Sequence, residues 1–110
     1  MPVYHPESYE EILRISQANP TKLVVIDFHA VWCGPCKQIK PAIEELSTKM
    51  VNVVFMAVDV DDEDHSETVN RFEITAMPTF IYMKNGIIKA KTTGANFKQV
   101  TDTIALTASA

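Results

Sequence analysis

Two cysteines, Cys33 and Cys36, stand between a strongly apolar segment and a segment with helical spacing, and they are the only cysteines in the chain. The apolar segment, residues 23–28, predicts a central strand, because strands buried on both faces have nearly continuous apolar sequences. Two thiols separated by two residues can form a disulfide reversibly. The sequence therefore predicts an α/β fold with a redox-active dithiol where a strand meets a helix.

Composition and length predict one soluble domain covering residues 1–110, since this length buries about two-thirds of the unfolded surface. The net charge is −4 and no basic run occurs, so binding to nucleic acid or to anionic membranes is not expected. No apolar stretch approaches the ~20 residues of a membrane span, and the N-terminus has no signal-peptide pattern. We expect a cytoplasmic location, where a Cys-x-x-Cys pair is more often catalytic than structural.

The first half of the chain predicts two helices. Ser8 and Glu11 resemble a capping box, and the helix that they begin should end near residue 20. Residues 33–50 predict a long helix with a kink at Pro41, because proline lacks a backbone donor.

The second half predicts strands at 53–58, 79–83 and 87–91 and a short acidic helix at about 65–72. Asn85-Gly86 is typical of a two-residue hairpin turn. Asn96 should cap a last helix that carries three apolar residues, Val100, Ile104 and Leu106. Together these elements indicate an α/β layered fold with a mixed sheet.

The two thiols have different predicted roles. Cys33 would lie at the amino end of the long helix, where free N–H groups and the helix dipole lower a thiol pKa, so it is the expected nucleophile. Cys36 lies one turn further on, should be more buried, and would be the resolving thiol. Gly34 permits a tight turn, Pro35 suits a first helical turn, and the pair tunes the reduction potential.

Two alternatives to a redox role remain, namely a pair of inert buried thiols or a zinc site. A structural zinc site takes four ligands, and the histidines of this chain are scattered at positions 5, 29 and 65.

An acidic residue, Asp27, interrupts the apolar strand. A buried carboxylate is costly unless it is paired or protonated, and burial raises its pKa. Such a pKa suits a proton acceptor that works near pH 7. The alternative is an ordinary polar core residue held by hydrogen bonds.

Nearly the whole chain resembles the thioredoxin family. The matching segments are Val25-Ile26-Asp27-Phe28, Trp32-Cys33-Gly34-Pro35-Cys36-Lys37, Ile39-Lys40-Pro41, Val58-Asp59-Val60-Asp61, Ala76-Met77-Pro78-Thr79-Phe80, Lys84-Asn85-Gly86 and Gly94-Ala95. The spacing around Lys40 and residues 59–62 is more similar to eukaryotic cytosolic members than to bacterial ones. The resemblance implies a thioredoxin fold, with a central mixed five-stranded sheet in the order 1-3-2-4-5 and helices on both faces.

The resemblance also implies the roles of further residues. Asp27 would lie beneath the dithiol and help to deprotonate Cys36, and Lys40 would be its electrostatic neighbour or else a solvated surface lysine. The Met77–Pro78 bond would be cis and lie beside the sulfurs. A shallow apolar substrate groove would be formed by Trp32, Met77, Pro78, Gly94 and Ala95. Taken singly, Trp32 and Met77 could equally be packing residues.

The implied activity is that of a general protein-disulfide reductase, a monomeric electron carrier without cofactor or metal. Its implied partners are protein disulfides and an NADPH-dependent thioredoxin reductase. An oxidase or isomerase of the same fold is disfavoured by Gly34-Pro35, because oxidising relatives usually carry histidine in this segment. A rival of another class is a binding or chaperone subunit with an incidental dithiol.

Three features depart from the family pattern. His29 and Val31 stand where relatives usually carry other residues, and His29 could titrate near the site or be a structural histidine. Residues 61–67 carry five carboxylates in a segment that is longer than in eukaryotic thioredoxins. This acidic segment would steer basic substrates at one edge of the groove, or it is a solvated loop.

Overall fold

The computed structural model describes residues 3–109. Within them the strands are β1 (Val3–Tyr4), β2 (Leu23–His29), β3 (Val53–Asp59), β4 (Thr79–Lys84) and β5 (Ile87–Thr93). The helices are α1 (Tyr9–Ala18), α2 (Gly34–Lys49), α3 (Ser66–Arg71) and α4 (Phe97–Ala108). One turn of 3₁₀ helix, Glu63–His65, precedes α3, so the predicted acidic helix is divided into two short pieces. The resemblance implied five strands, but no residue pattern located the two-residue strand β1.

The strands form one sheet in the order β1-β3-β2-β4-β5, which confirms the implied order 1-3-2-4-5. The strands β1, β3 and β2 are parallel, whereas β4 runs antiparallel to β2 and β5 runs antiparallel to β4. The Asn85-Gly86 turn joins the last two strands, and its φ angles of 54° and 76° are those that a two-residue hairpin turn requires.

Alternating side chains of the strands build two separate cores, because successive residues of a strand point to opposite faces. The face under α1 and α3, which we call the closed face, has a core built from Ile12, Val24, Ile26, Phe28, Met56, Val58, Phe72, Ile74, Ile81 and Met83. The face under α2 and α4, the open face, has a core built from Leu23, Val25, Ile39, Ile43, Phe55, Phe80, Tyr82, Val100 and Ile104. Helices on both faces of the sheet are thus confirmed.

The helix ends follow the sequence signals closely. The Ser8 hydroxyl accepts the Glu11 N–H at 3.1 Å, but the carboxylate of Glu11 accepts the Glu7 N–H at 2.7 Å, so only half of the capping box forms. The Asn96 side chain caps α4 as predicted. Within residues 3–109, no helix combines the length and the apolar character needed to cross a membrane.

The apolar stripe of α4 differs from the prediction at one position. Val100, Ile104 and Thr107 are buried, whereas Leu106 is 76% exposed. Position 107 lies three residues after Ile104, on the same side of the helix, whereas position 106 is turned away from it. The helix α2 continues through Pro41, and the kink there stays a prediction.

Candidate redox site

The dithiol lies where β2 passes into α2. Cys33 is the N-cap of α2, and its Sγ accepts the backbone N–H of Cys36 at 3.1 Å. The Cys33 N–H donates to the carbonyl of Ala30 at 3.2 Å, which fixes the turn before the helix. Gly34 and Pro35 form the exposed first turn of α2. The predicted position of Cys33 at the amino end of the helix is therefore confirmed.

Cys33 and Cys36 are joined in a disulfide, with their Cα atoms 5.3 Å apart. Cys33 is 4% exposed and Cys36 is 6% exposed, so the expectation that Cys36 is the more buried thiol is wrong. The two cysteines form a small apolar cluster with Ala30, and Val60 and Met77 pack against this cluster. This packing encloses both residues of the ring. In the disulfide form, the place of Cys33 at the helix start distinguishes the two sulfurs, and burial does not.

Asp27 lies on the open face and is only 9% exposed. Its Oδ1 atom is buried and has no hydrogen-bond partner within residues 3–109. Burial raises the pKa of the carboxyl to about 7, and the positive charge of Lys40 opposes this rise. The predicted rise is confirmed, and Asp27 can exchange a proton near neutral pH. The role of Asp27 as the proton acceptor, against that of an ordinary polar core residue, stays a prediction.

A cavity of about 220 Å³ connects Asp27 with the dithiol. Its lining comes from β1, β2, β3, α2 and the segments between them, and comprises Val3, His5, Asp27, His29, Ala30, Val31, Cys36, Lys37, Lys40, Ile43, Glu44 and Ala57. Several of these residues are exposed, including Lys37, Lys40 and Glu44, so the cavity opens to solvent. Neither His5 nor Ala57 was predicted from the sequence to lie at this site. The register of β2 and β3, which pairs Asp27 with Ala57, is the signal that brings Ala57 there.

Some of the five residues proposed for the groove are in contact with the cysteine cluster or with one another. Met77 packs against the cysteine cluster, and the Met77–Pro78 bond is cis, as the resemblance implied. The Gly94 N–H donates to the carbonyl of Pro78 at 2.8 Å, so the residues before β4 and after β5 are joined. Trp32, at 65%, and Ala95 are exposed. The role of these five residues in binding substrate stays a prediction.

The acidic segment reaches the site through Trp32. The indole Nε1–H donates to Asp61 Oδ2 at 2.6 Å, and the Asp61 N–H donates to Asp59 Oδ1 at 2.9 Å. The resemblance implied that this segment lies near the groove, but the bond to Trp32 was not predicted. The indole is exposed, so its N–H could equally bond to water, and the nearby aspartates were the only sequence signal for this bond.

Comparison with known proteins agrees with the motifs and with the geometry. The thioredoxin family model matches residues 2–106. Thioredoxin of Callithrix jacchus is 44% identical over 98 residues, which are 89% of this chain and 89% of that protein. The structure of Fasciola hepatica thioredoxin gives a TM-score of 0.88 at 34% identity, covering 94% of this chain and 97% of that chain.

A chain in the crystal structure of a complex of ferredoxin:thioredoxin reductase and thioredoxin f2 gives a TM-score of 0.87 at 30% identity. The match covers 94% of this chain and 93% of that chain. The sheet order, the disulfide at the start of α2 and the match of the family model over nearly the whole length all agree. The chain therefore belongs to the thioredoxin family.

Proposed function

We propose that the chain is a general protein-disulfide reductase that carries two electrons as the Cys33–Cys36 dithiol. The observation that carries this proposal is the disulfide at the amino end of α2, next to a buried carboxyl with a pKa of about 7. A thiol at a helix start is favoured as a thiolate, and a carboxyl that titrates near neutral pH can take a proton from a second thiol.

The reaction has two thiol–disulfide exchange steps. The Cys33 thiolate attacks one sulfur of a substrate disulfide, forms a mixed disulfide and releases the first substrate thiolate. Asp27 takes the proton of Cys36, and the Cys36 thiolate then attacks Cys33 Sγ. The Cys33–Cys36 disulfide forms as the second substrate thiolate leaves, so one substrate disulfide gains two electrons and becomes two thiols.

The surroundings of the disulfide support these roles. Gly34 and Pro35 are exposed, so a substrate can approach the ring from the first turn of α2. Met77 packs against the cysteine cluster, and its backbone groups can pair with an extended substrate segment. Trp32, Pro78, Gly94 and Ala95 complete the proposed groove.

The proposed electron donor is an NADPH-dependent thioredoxin reductase. The complex of thioredoxin f2 with ferredoxin:thioredoxin reductase supports a reductase partner in general, whereas the NADPH-dependent type rests on the similarity to eukaryotic cytosolic members. In this proposal the chain acts as a monomer in the cytoplasm, and residues 1–110 form a single domain.

Catalysed reduction of insulin by dithiothreitol tests the proposal. Catalytic amounts of the chain should accelerate the reaction, and the double variant Cys33→Ser, Cys36→Ser should not. A binding or chaperone subunit with an incidental dithiol would leave the rate at the dithiothreitol background. Replacing dithiothreitol by NADPH and purified thioredoxin reductase tests the electron donor separately.

A further inference from the structure

His29 shares the cavity with Asp27 and Cys36. It stands two residues after Asp27 on β2, so both side chains project to the open face. It is half-buried, at the last position of the strand, and the exposed residue Val31, two positions later, also lines the cavity. His29 is thus more exposed than the buried carboxyl with which it shares the cavity.

The charged and titratable groups around His29 come from each neighbouring element. Asp59 is its register partner on β3, and His5 follows β1. The helix α2 contributes Cys36, Lys37, Lys40 and Glu44 to the same cavity. Burial lowers the pKa of His29, and the positive charges of Lys40 and His5 act in the same direction, whereas the negative charge of Asp59 opposes them. The imidazole is therefore neutral near pH 7 and can accept a proton.

The proposed reaction needs an ionised Asp27, because only a carboxylate can take the proton of Cys36. The pKa of Asp27 is about 7, so below pH 7 most of the carboxyl is protonated, in a site that is 9% exposed. Asp27 must therefore lose its own proton before Cys36 can be deprotonated and attack Cys33. Lys37 and Lys40, as ammonium groups, have no free lone pair for it, whereas a neutral imidazole has one. Glu44 and His5 also line the cavity with proton-accepting atoms, but His29 shares the strand of Asp27 and stands two residues from it.

We infer that His29 is a positioning residue that accepts the proton of Asp27 across the shared cavity and delivers it to solvent. The inference rests on the proposed function. The cavity of about 220 Å³ has room for water between the two side chains, since one water occupies about 30 Å³ of the liquid. In this step the carboxyl O–H bond breaks and an imidazole N–H bond forms, and the imidazolium then gives a proton to bulk water or buffer, so no oxidation state changes.

The test follows the mixed disulfide by acid quench and mass spectrometry, starting from the reduced chain and an excess of a disulfide peptide in dilute buffer. His29→Gln keeps much of the side-chain volume, and His29→Ser leaves space for added imidazole. Formation of the mixed disulfide should be unchanged in both variants. Its resolution at pH 6.5 should slow about threefold to tenfold, below the ~10²–10⁴-fold effect of a direct acid–base residue.

Two further readouts separate a proton-transfer role from a structural one. The defect should vanish at pH 8.5, where Asp27 is already ionised, and millimolar imidazole should restore His29→Ser at pH 6.5. Glu10→Gln, at an exposed position of α1 outside the cavity, is the control and should behave like the wild type.

The outcomes are distinct. Normal resolution in His29→Gln at pH 6.5 overturns the inference alone. A defect that is equal at both pH values, is not restored by imidazole and accompanies a loss of stability assigns His29 a structural role. A defect in His5→Gln in place of His29→Gln would assign the step to His5. A wild type that does not reduce the disulfide peptide at all overturns the proposed function itself.

Discussion

The two faces of the sheet carry different kinds of core. On the closed face, Val24, Ile26 and Phe28 of β2 continue an apolar cluster in which each of the three is fully buried. On the open face, the same strand offers Leu23 and Val25 and then Asp27, where the alternation would place another apolar residue. The difference arises within a single strand, from one residue.

That difference separates stability from chemistry. A fully apolar core contributes burial free energy and excludes water. A buried carboxyl with an unpartnered oxygen contributes no such favourable free energy. Burial instead moves its pKa into the neutral range. We therefore expect substitutions on the closed face to change stability and substitutions at the dithiol end of the open face to change rates.

The largest expected effect is at the dithiol. Cys33→Ser should reduce insulin no faster than the dithiothreitol background, because the attacking thiolate is lost. Cys36→Ser should still attack but should accumulate a mixed disulfide, since no thiol resolves it. Mass spectrometry after mixing each variant with a disulfide substrate decides the assignment. Trapping of substrate on Cys36 in the Cys33→Ser variant would reverse the two roles.

A closed-face substitution should have the opposite profile. Ile12 of α1 is fully buried, so Ile12→Ala should lower the free energy of unfolding by about 2–5 kcal/mol. The insulin reduction rate under folding conditions should stay within about twofold of wild type. Leu106→Ala, at an exposed position of α4, is the control and should change stability by less than about 0.5 kcal/mol. A rate that falls together with stability would mean that the two faces are not separable.

Asp27→Ala should raise stability and slow exchange. The pKa of Asp27 is raised from 3.8 to about 7, so the folded chain keeps a proton that the unfolded chain releases between these values. Relative to the variant, the wild type therefore loses stability as the pH rises from about 4 through 7, by on the order of 4 kcal/mol in total. Asp27→Ala should accordingly be the more stable protein at pH 8, and most of this advantage should disappear at pH 4.

Denaturant melts at pH 4, 6 and 8 measure the stability part, and stopped-flow reduction at pH 7 measures the rate. The isosteric variant Asp27→Asn is the control for side-chain volume. Slower exchange is expected in both variants because neither accepts a proton from Cys36. Lower stability at every pH together with unchanged kinetics would make Asp27 a structural residue.

The smallest expected effect concerns the acidic segment, which precedes and enters α3 on the closed-face side. Changing Glu63, Asp64 and Glu67 to the corresponding amides should narrow the rate difference between basic and acidic disulfide peptides by about twofold to fivefold at low salt. In the wild type, high salt should narrow it too, because exposed charges are screened. Glu10→Gln in α1 is the control. Equal rates for both peptides in the wild type at low salt would mean that the acidic segment is a solvated loop that does not steer substrates.

The sequence predicted those parts of the fold that local patterns specify. The apolar strand β2, the helix start at Cys33 and the Asn85-Gly86 turn each depend on residues that are adjacent in the chain. The strand β1 could not be predicted, because two residues form a strand only when β3 lies beside them.

For the candidate site, too, the sequence predicted what depends on neighbouring residues and missed what depends on distant ones. The roles expected for the cysteines and Asp27 followed from residue type and position, and the raised pKa of Asp27 agrees with them. The burial of Cys33 did not follow, since Val60 and Met77 pack against the cysteine cluster from distant parts of the chain. The cavity is assembled from several elements in the same way, so no single segment carries a signal for it.

The register of β2 and β3 also offers a route to protein engineering. Ala57 lies opposite Asp27 and lines the same cavity, and its side chain carries no charge. A lysine at this position would favour the ionised carboxyl and lower its pKa, whereas a glutamate would raise it further. Residue 57 is therefore a position at which the working pH range of the electron carrier can be adjusted while both cysteines stay unchanged.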